Sequence, residues 1–458
     1  MSRSWLRLRR ATARNCAGSR AVSAVSGNTR FSSAIAALPT GTIPVGLGLA
    51  IAGVSVYGFQ IIAFRTLGTS AYASLNGLWV TAFVLAPGLF LPLEQEVARA
   101  MAHRLAQGDG GQPLITRAIV LAALLIVAVI VVAFAARGFI EARLLRSSDE
   151  LFIALIAALV GYGVASLARG MLSGNNRFGR YGAMVGVDGF ARVALAAAIA
   201  LVGYGTLGWF GVVFAIGPFL ATLIGLVGIR GLGGPGSKAP MSELTTSIGW
   251  LLLGSTFAQA LGYSAYIGAS VLATKEQDAE LGSFIAALFV ARIPLLLFQA
   301  VQAALLPKLA GLLGRGKIHD FRVGMARLLA IVTVASVIGV VIALTAGPAI
   351  GRLLFGVNFT ISGIGLAALT AGCCLMVIAL TLSQALIALR RYAVTAFAWV
   401  VSLAVFVVAM SVLEMDVFTR AEVAFVGSAF VAVVWMASVT WLSTAVTTMR
   451  ETTNSHSR

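Results

Sequence analysis

The apolar residues of this chain arrive in twelve runs of about twenty, the length that crosses a bilayer core about 30 Å thick. In lipid every backbone N–H and C=O must be bonded within its own segment, so runs of this length fold as membrane-crossing helices. The first six lie at 43–64, 71–93, 114–136, 151–172, 182–203 and 206–229, and the second six at 247–272, 281–306, 328–346, 359–388, 392–412 and 421–447. They are numbered spans 1 to 12 below. Composition agrees. Only 11% of the residues are charged, where soluble domains carry about a quarter, and mean hydropathy is +0.96. Fifty glycines suit helices whose backbones approach closely.

Charge placement sets an expected orientation. With the N-terminus in the cytosol, 24 of the 33 Lys and Arg fall on the inner side, counting Arg117 and Arg169 at the inner ends of their spans, and seven on the outer side, while Arg192 and Arg292 lie midway along spans. Outer loops hold the acid clusters "KEQDAE" (275–280) and "EMD" (414–416). The positive-inside rule then puts both termini in the cytosol. An excess of 29 Arg over four Lys points to a GC-rich bacterial genome, and so to a bacterial inner membrane. The net charge of +17 lies between spans, so membrane lipids, and no nucleic acid, are the expected partners. Residues 1–40 carry seven arginines and no acid, as a disordered cytosolic tail drawn to anionic headgroups would. A targeting segment or a start-site extension has the same composition. Cys16, Cys373 and Cys374 give no disulfide framework, and His103, His319 and His456 are too scattered for a metal site, so no cofactor is expected.

The glycine-rich "GLGGPGSKAP" (231–240) divides the chain. It nearly spells a phosphate-binding loop, but Lys238 is followed by Ala where Ser or Thr is needed, so it reads as a linker. The halves echo one another: "VLAPGLFLPLEQEVARAMAHRLAQGDG" closes span 2 and "ARIPLLLFQAVQAALLPKLAGLLGRGK" closes span 8, each an amphipathic cytosolic segment ending on Gly-x-Gly. Six spans is an even number, so both halves start from the same side. The expected fold is an all-α polytopic membrane protein, about twelve transmembrane helices in two six-helix lobes, parallel repeats around a central cavity. Its parts are the tail 1–40, an N-terminal lobe 41–230, a linker 231–246, a C-terminal lobe 247–447 and a tail 448–458.

Two stretches carry a family resemblance. "IIAFRTLGTSAYASLNGLWV" (61–80) resembles the first two spans of the polysaccharide flippase branch of the multidrug/oligosaccharidyl-lipid/polysaccharide (MOP) exporter superfamily. "ARIPLLLFQAVQAALLPKL" (291–309) is similar to the eighth span of its lipid II and O-antigen-unit flippases, where Arg precedes Pro-Leu-x-Leu-Phe and the segment closes on Leu-Pro-Lys/Arg-Leu. The chain differs from the lipid II flippases in having twelve spans rather than fourteen and in lacking a run of arginines in spans 1 and 2. That difference favours another polyprenyl-linked glycan. The resemblance implies transport without covalent chemistry: a polyprenyl-(pyro)phosphate-linked glycan turned over from the inner to the outer leaflet as the lobes rock. Polysaccharide polymerases or glycosyltransferases are its implied partners.

Ionisable residues inside spans are expensive, about 2.5–3.5 kcal/mol at the centre, and face a cavity or a partner. Asp188, Arg192 and Arg292 are of this kind. Both arginines sit about 11 residues into their spans, roughly 16 Å deep, one in each lobe. Facing a shared cleft they would suit an anionic phosphate, because Arg offers a planar donor fork. Asp188 and Arg192 also stand at i, i+4 in the acid-first order of a structural bridge. Asp188 is the candidate for H+ or Na+ coupling. In span 7, Thr256, Gln259, Tyr263, Tyr266 and Ser270 share one helix face, as do Gly53, Tyr57 and Gln60 in span 1, and Gln299 lies seven residues from Arg292. Such stripes line a sugar path or bind helices together. Arg65 closes span 1 as an interfacial anchor, and the resemblance adds substrate contact. Glu94 and Glu96, closing span 2, read as a solvated helix face. The candidate substrate-binding set is thus Arg292, Arg192, Arg65, Gln259, Tyr263, Tyr266, Gln299 and Gln60.

Three rival classes make different demands. A multidrug/cation antiporter of the same superfamily needs an acidic cavity, but the residues buried in spans are two Arg against one Asp. A membrane glycosyltransferase keeps carboxylates in its first outer loop; here that loop is "RTLGTS", without an acid, so no enzyme is expected. A major-facilitator symporter carries Gly-x-x-x-Asp-Arg after span 2, and "EQEVARAMAHRLAQGDGG" lacks it.

Overall fold

The computed structural model describes residues 42–229, 231–241, 244, 248–298, 309, 318–389 and 391–456. The tail 1–40, Gln299 and the segment that closes span 8 lie outside the described residues. Among the described residues the regular structure is helical. Ten helices among the described residues are long and apolar enough to cross a bilayer. The first, Ile43–Ala106, contains both spans 1 and 2, and span 7, broken into two shorter helices, makes the twelfth crossing.

Three features depart from the expected spans, each for a local reason. The loop expected between spans 1 and 2 shrinks to one non-helical residue, Gly68, at φ 74° and ψ 175°. A side chain is strained at that φ, so glycine makes the tight reversal possible. Span 10 starts at Gly363, four residues later than expected, because Ser362 caps it by accepting from the Gly365 N–H at 3.1 Å. Span 12 runs from Val417 to His456, so its helix continues into the segment expected as a tail.

Both halves repeat one packing scheme. Spans 3 and 4, 4 and 6, and 5 and 6 pack together, and so do spans 9 and 10, 10 and 12, and 11 and 12. Span 5 meets span 1 through facing glycines, Gly182 on Gly48 and Gly189 on Ala52, while span 11 meets span 7 where Ala396 touches Gly254. Spans 3 and 9 turn valine- and isoleucine-rich faces outward, a surface suited to contact with lipid. The turn after span 4 is closed by the Arg177 N–H on the Leu172 carbonyl, and the turn after span 10 by the Arg391 N–H on the Leu386 carbonyl, both at 2.8 Å. A short helix follows the third helix of each half: Arg137–Phe139 leading into the π-turn Ile140–Leu144, and Gly347–Phe355.

The linker is a folded element. Asp109 accepts hydrogen bonds from the backbone N–H and the hydroxyl of Ser237, from the Gly110 N–H at 2.9 Å, and from Arg104 at 3.0 Å. Arg104 also donates to the carbonyls of Ser237 and Lys238. The Ser237 bonds, ahead of Gly110 and Arg104, hold the Asp109 carboxyl below its ordinary range. A depressed folded-state pKa contributes stability above the unfolded value and loses it only as pH falls through the folded one. Limited proteolysis should therefore leave 231–240 protected from neutral pH into mild acid, and Asp109→Ala should expose it across that range. Cleavage at equal rates in the two proteins at pH 7 would contradict this docking.

Away from the linker, the far ends of the halves hold each other by arginines. Arg65, closing span 1, donates to the carbonyls of Leu354 (2.9 Å) and Leu353 (2.8 Å) at the end of the helix Gly347–Phe355, beside an edge-on Phe64–Phe355 contact. Arg146 forms an ion pair with Asp278 at 2.9 Å, and Arg143 donates to the Val271 carbonyl at 3.2 Å.

Candidate functional site

Arg292 lies where two helices break. The helix that opens span 8 ends at Ala291, and Arg292 takes φ −84° and ψ −1°, its N–H shared between the carbonyls of Leu288 and Phe289. Pro294 explains the break, since it lacks an N–H and its ring cannot sit over the Val290 carbonyl in a continuous helix. Span 7 breaks at the same level: one helix ends at Gly262, the next begins at Ser264, and Tyr263 between them has φ −110° and ψ 6°. The half-buried Arg292 side chain joins the two breaks. Its Nη1 donates to the Gly262 carbonyl at 2.6 Å, and its guanidinium lies over the Tyr263 ring, 3.8 Å from the centroid. Tyr57 of span 1 and Cys373 of span 10 are within its electrostatic reach. Among the described residues no carboxylate pairs with it. A carbonyl and a ring partly stabilise the cation, the ring by up to about 2 kcal/mol when desolvated. Neither neutralises it.

Arg192 is placed differently. It does not face Arg292 across a cleft, because it is 3% exposed within the N-terminal half. It pairs with Asp188 at 2.5 Å and donates to the Tyr162 hydroxyl at 2.6 Å. Trp79, Tyr162 and Phe214 surround its guanidinium, with ring centroids 5.8, 5.6 and 5.0 Å away. These rings come from spans 2, 4 and 6, a tertiary cage that spacing along span 5 does not reveal. Glu94 and Glu96 also depart from expectation, being buried rather than solvated. Arg169 of span 4 and the Tyr181 hydroxyl of span 5 each donate to Glu94 at 2.8 Å, while Arg99 pairs with Glu96. Partners 75 and 87 residues distant supply what the local sequence lacks.

The remaining candidates separate along spans 1 and 7. Gly53 packs against Leu296 of span 8, and the Tyr57 hydroxyl donates to the Phe289 carbonyl at 3.2 Å, so this stripe of span 1 faces the other half. Gln60 continues it, 1% exposed, with both amide atoms unpaired among the described residues. Beyond the span 7 break, Tyr266 is fully buried and donates to the Ala73 carbonyl of span 2 at 3.4 Å. It joins helices there. Arg65 holds the short helix after span 9, as described above.

Gln259, on the linker side of the break, lines a cavity of about 130 Å³. Span 2 contributes Pro92 and Gln95, span 7 Trp250 and Gln259, span 10 Gln384, and span 11 Tyr392. Nearby, the Ser255 hydroxyl donates to the Gly88 carbonyl, so the cavity lies where span 2 of one half meets span 7 of the other. Arg292 of span 8 is not in its lining; the Gly262 carbonyl that it holds lies about one helical turn beyond Gln259 along span 7. Gln384, a lone amide in an apolar span, carried the same sequence signal as Gln259 and belongs with it.

No protein-family model matches the chain. Uncharacterized proteins of Mycobacterium tuberculosis and Mycobacterium bovis are each 27% identical over 386 residues, covering 80% of this chain and 84% of theirs. Among solved structures, the inward-facing conformation of a multidrug resistance MATE family transporter of the MOP superfamily superposes with a TM-score of 0.64 at 14% identity, over 90% of this chain and 98% of that one. A MATE structure in the bent conformation gives 0.63 at 14% identity, over 88% and 95%. A MOP superfamily transporter from Pyrococcus furiosus, described as having a binding pocket of reverse polarity, gives 0.61 at 14% identity, over 88% and 95%. The chain has the all-helical, two-lobed fold of the MATE transporters of the MOP superfamily.

Proposed function

We propose that this protein is a flippase that moves a polyprenyl-(pyro)phosphate-linked glycan from the inner to the outer leaflet of a bacterial inner membrane by alternating access, for envelope polysaccharide assembly. The observation that carries this reading is Arg292: a cation deep in a span, at the junction of two helix breaks, with a carbonyl and a ring as its partners among the described residues. An anionic headgroup would supply the missing charge-assisted bonds. The rival reading, a multidrug/cation antiporter, draws on the likeness to multidrug transporters. It needs an acid free to meet a cationic drug, whereas Asp188 is engaged by Arg192. The Pyrococcus furiosus transporter shows that pocket polarity is not uniform within this fold. Enzymes that build the lipid-linked head, and a polymerase that consumes it, are the partners this role requires.

Depleting the protein should make the lipid-linked glycan accumulate where an impermeant reagent outside the cell cannot reach it. Unchanged levels and unchanged accessibility would count against a flippase. The direction of transport depends on orientation, which labelling tests separately. In a variant without native cysteines, Glu276→Cys should react with an impermeant maleimide from outside the cell, and Lys238→Cys only after permeabilisation. Both side chains are exposed. The reverse pattern would invert the topology.

A further inference from the structure

We propose that the cavity between span 2 and spans 7, 10 and 11 is a sugar subsite that takes one uncharged pyranose ring of the cargo. This rests on the flippase reading above and extends it from the phosphate to the glycan. Among the described residues the lining holds no Asp, Glu, Lys or Arg. What it presents instead are three amides, Gln95, Gln259 and Gln384, with the rings of Trp250 and Tyr392. None of the three amides has a hydrogen bond to another group among the described residues. An amide offers two donors and an acceptor with two lone pairs, which matches vicinal hydroxyls that both donate and accept. Flat aromatic faces suit the C–H side of a pyranose. Among the described lining residues a cationic drug would find no counter-charge, and a phosphate no positive group.

Size and position agree. A cavity of about 150 Å³ holds one benzene ring, so about 130 Å³ admits the face of one six-membered ring at most, with its substituents at the mouth, and no second sugar. Gln259 precedes Gly262 by three residues, about 4.5 Å along the helix, and Gly262 is the carbonyl that Arg292 holds. A phosphate at Arg292 would thus carry its first sugar toward the cavity. Gln95 belongs to one lobe while Gln259 and Gln384 belong to the other, so a bound sugar would bridge them. Separating the lobes would break its hydrogen bonds.

The test uses the full-length protein in lipid nanodiscs, which avoids sugar-based detergents. The probes are farnesyl diphosphate and the same lipid carrying one glucose or one N-acetylglucosamine, with binding read as quenching of tryptophan fluorescence. Two or three added hydrogen bonds, each worth about a few-fold in affinity, should make a sugar-bearing probe bind about tenfold or more tighter than the bare lipid. Gln95→Leu with Gln384→Leu should remove that increment and leave bare-lipid binding unchanged, which also serves as the folding control. Arg292→Gln should weaken both probes alike. Equal binding of bare and sugar-bearing lipid by the unaltered protein would overturn the subsite while leaving the anion reading intact. So would an increment that survives the double substitution. If neither lipid binds and the cation tetraphenylphosphonium does, the subsite and the flippase reading fall together.

Discussion

Arg292→Glu should abolish transport while the protein still reaches the membrane at its normal level. Inverting the charge places a carboxylate where the cargo phosphate would sit. Losing one member of a buried charge pair costs about 2–5 kcal/mol or more, so affinity should fall by at least about thirtyfold. The side chain also holds the Gly262 carbonyl at the span 7 break, and two milder substitutions separate that role from the charge. Arg292→Gln keeps a donor for the carbonyl without a cation, and it should be nearly inactive. Arg292→Lys keeps a cation and a donor but loses the planar fork, and it should retain partial activity. The measurement is complementation of a strain lacking the gene, with membrane protein level followed alongside. Full complementation by a normally expressed Arg292→Gln would make the residue a structural cap and remove the basis for an anionic cargo.

Asp188→Asn should be the most destabilising of the conservative changes considered. It leaves Arg192, 3% exposed, with the neutral Tyr162 hydroxyl and three aromatic rings as company. Stranding one member of a buried ion pair costs about 3–5 kcal/mol, whereas replacing both members is often close to neutral. Adding Arg192→Met should therefore recover most of the loss, read as the midpoint of thermal unfolding in nanodiscs. The double variant also isolates ion coupling. If Asp188 carries H+ or Na+, transport stays lost after stability returns; if it only neutralises Arg192, transport returns as well. A single Asp188→Asn protein as stable as the unaltered one would refute the buried pair.

The spans could be read from the sequence because lipid makes one demand at every position, and twenty apolar residues satisfy it without help from elsewhere. The repeat was legible for the same reason, in two matching span-closing segments. What could not be read is what depends on distant partners. Arg192 and Arg292 each lie about halfway along an apolar run, and in sequence Asp188 alone sets the first apart. One is enclosed by rings from three other helices, and the other is left with a carbonyl and a tyrosine. Glu94 looks solvated until Arg169, 75 residues on, lies against it. Both span 7 and span 8 read as unbroken runs; Pro294 accounts for the break in span 8, while nothing local marks the one beside it at Tyr263.

The central claim is that the cargo is an anionic glycolipid, and reconstitution into proteoliposomes tests it most directly. A fluorescent polyprenyl-diphosphate oligosaccharide would be placed in the inner leaflet, its arrival outside followed by an impermeant quencher, and ethidium efflux measured in a parallel set of vesicles. The account predicts protein-dependent glycolipid flipping that Arg292→Gln abolishes, with no ethidium movement under a proton or sodium gradient. Gradient-driven ethidium efflux, with the glycolipid confined to its original leaflet, would contradict it.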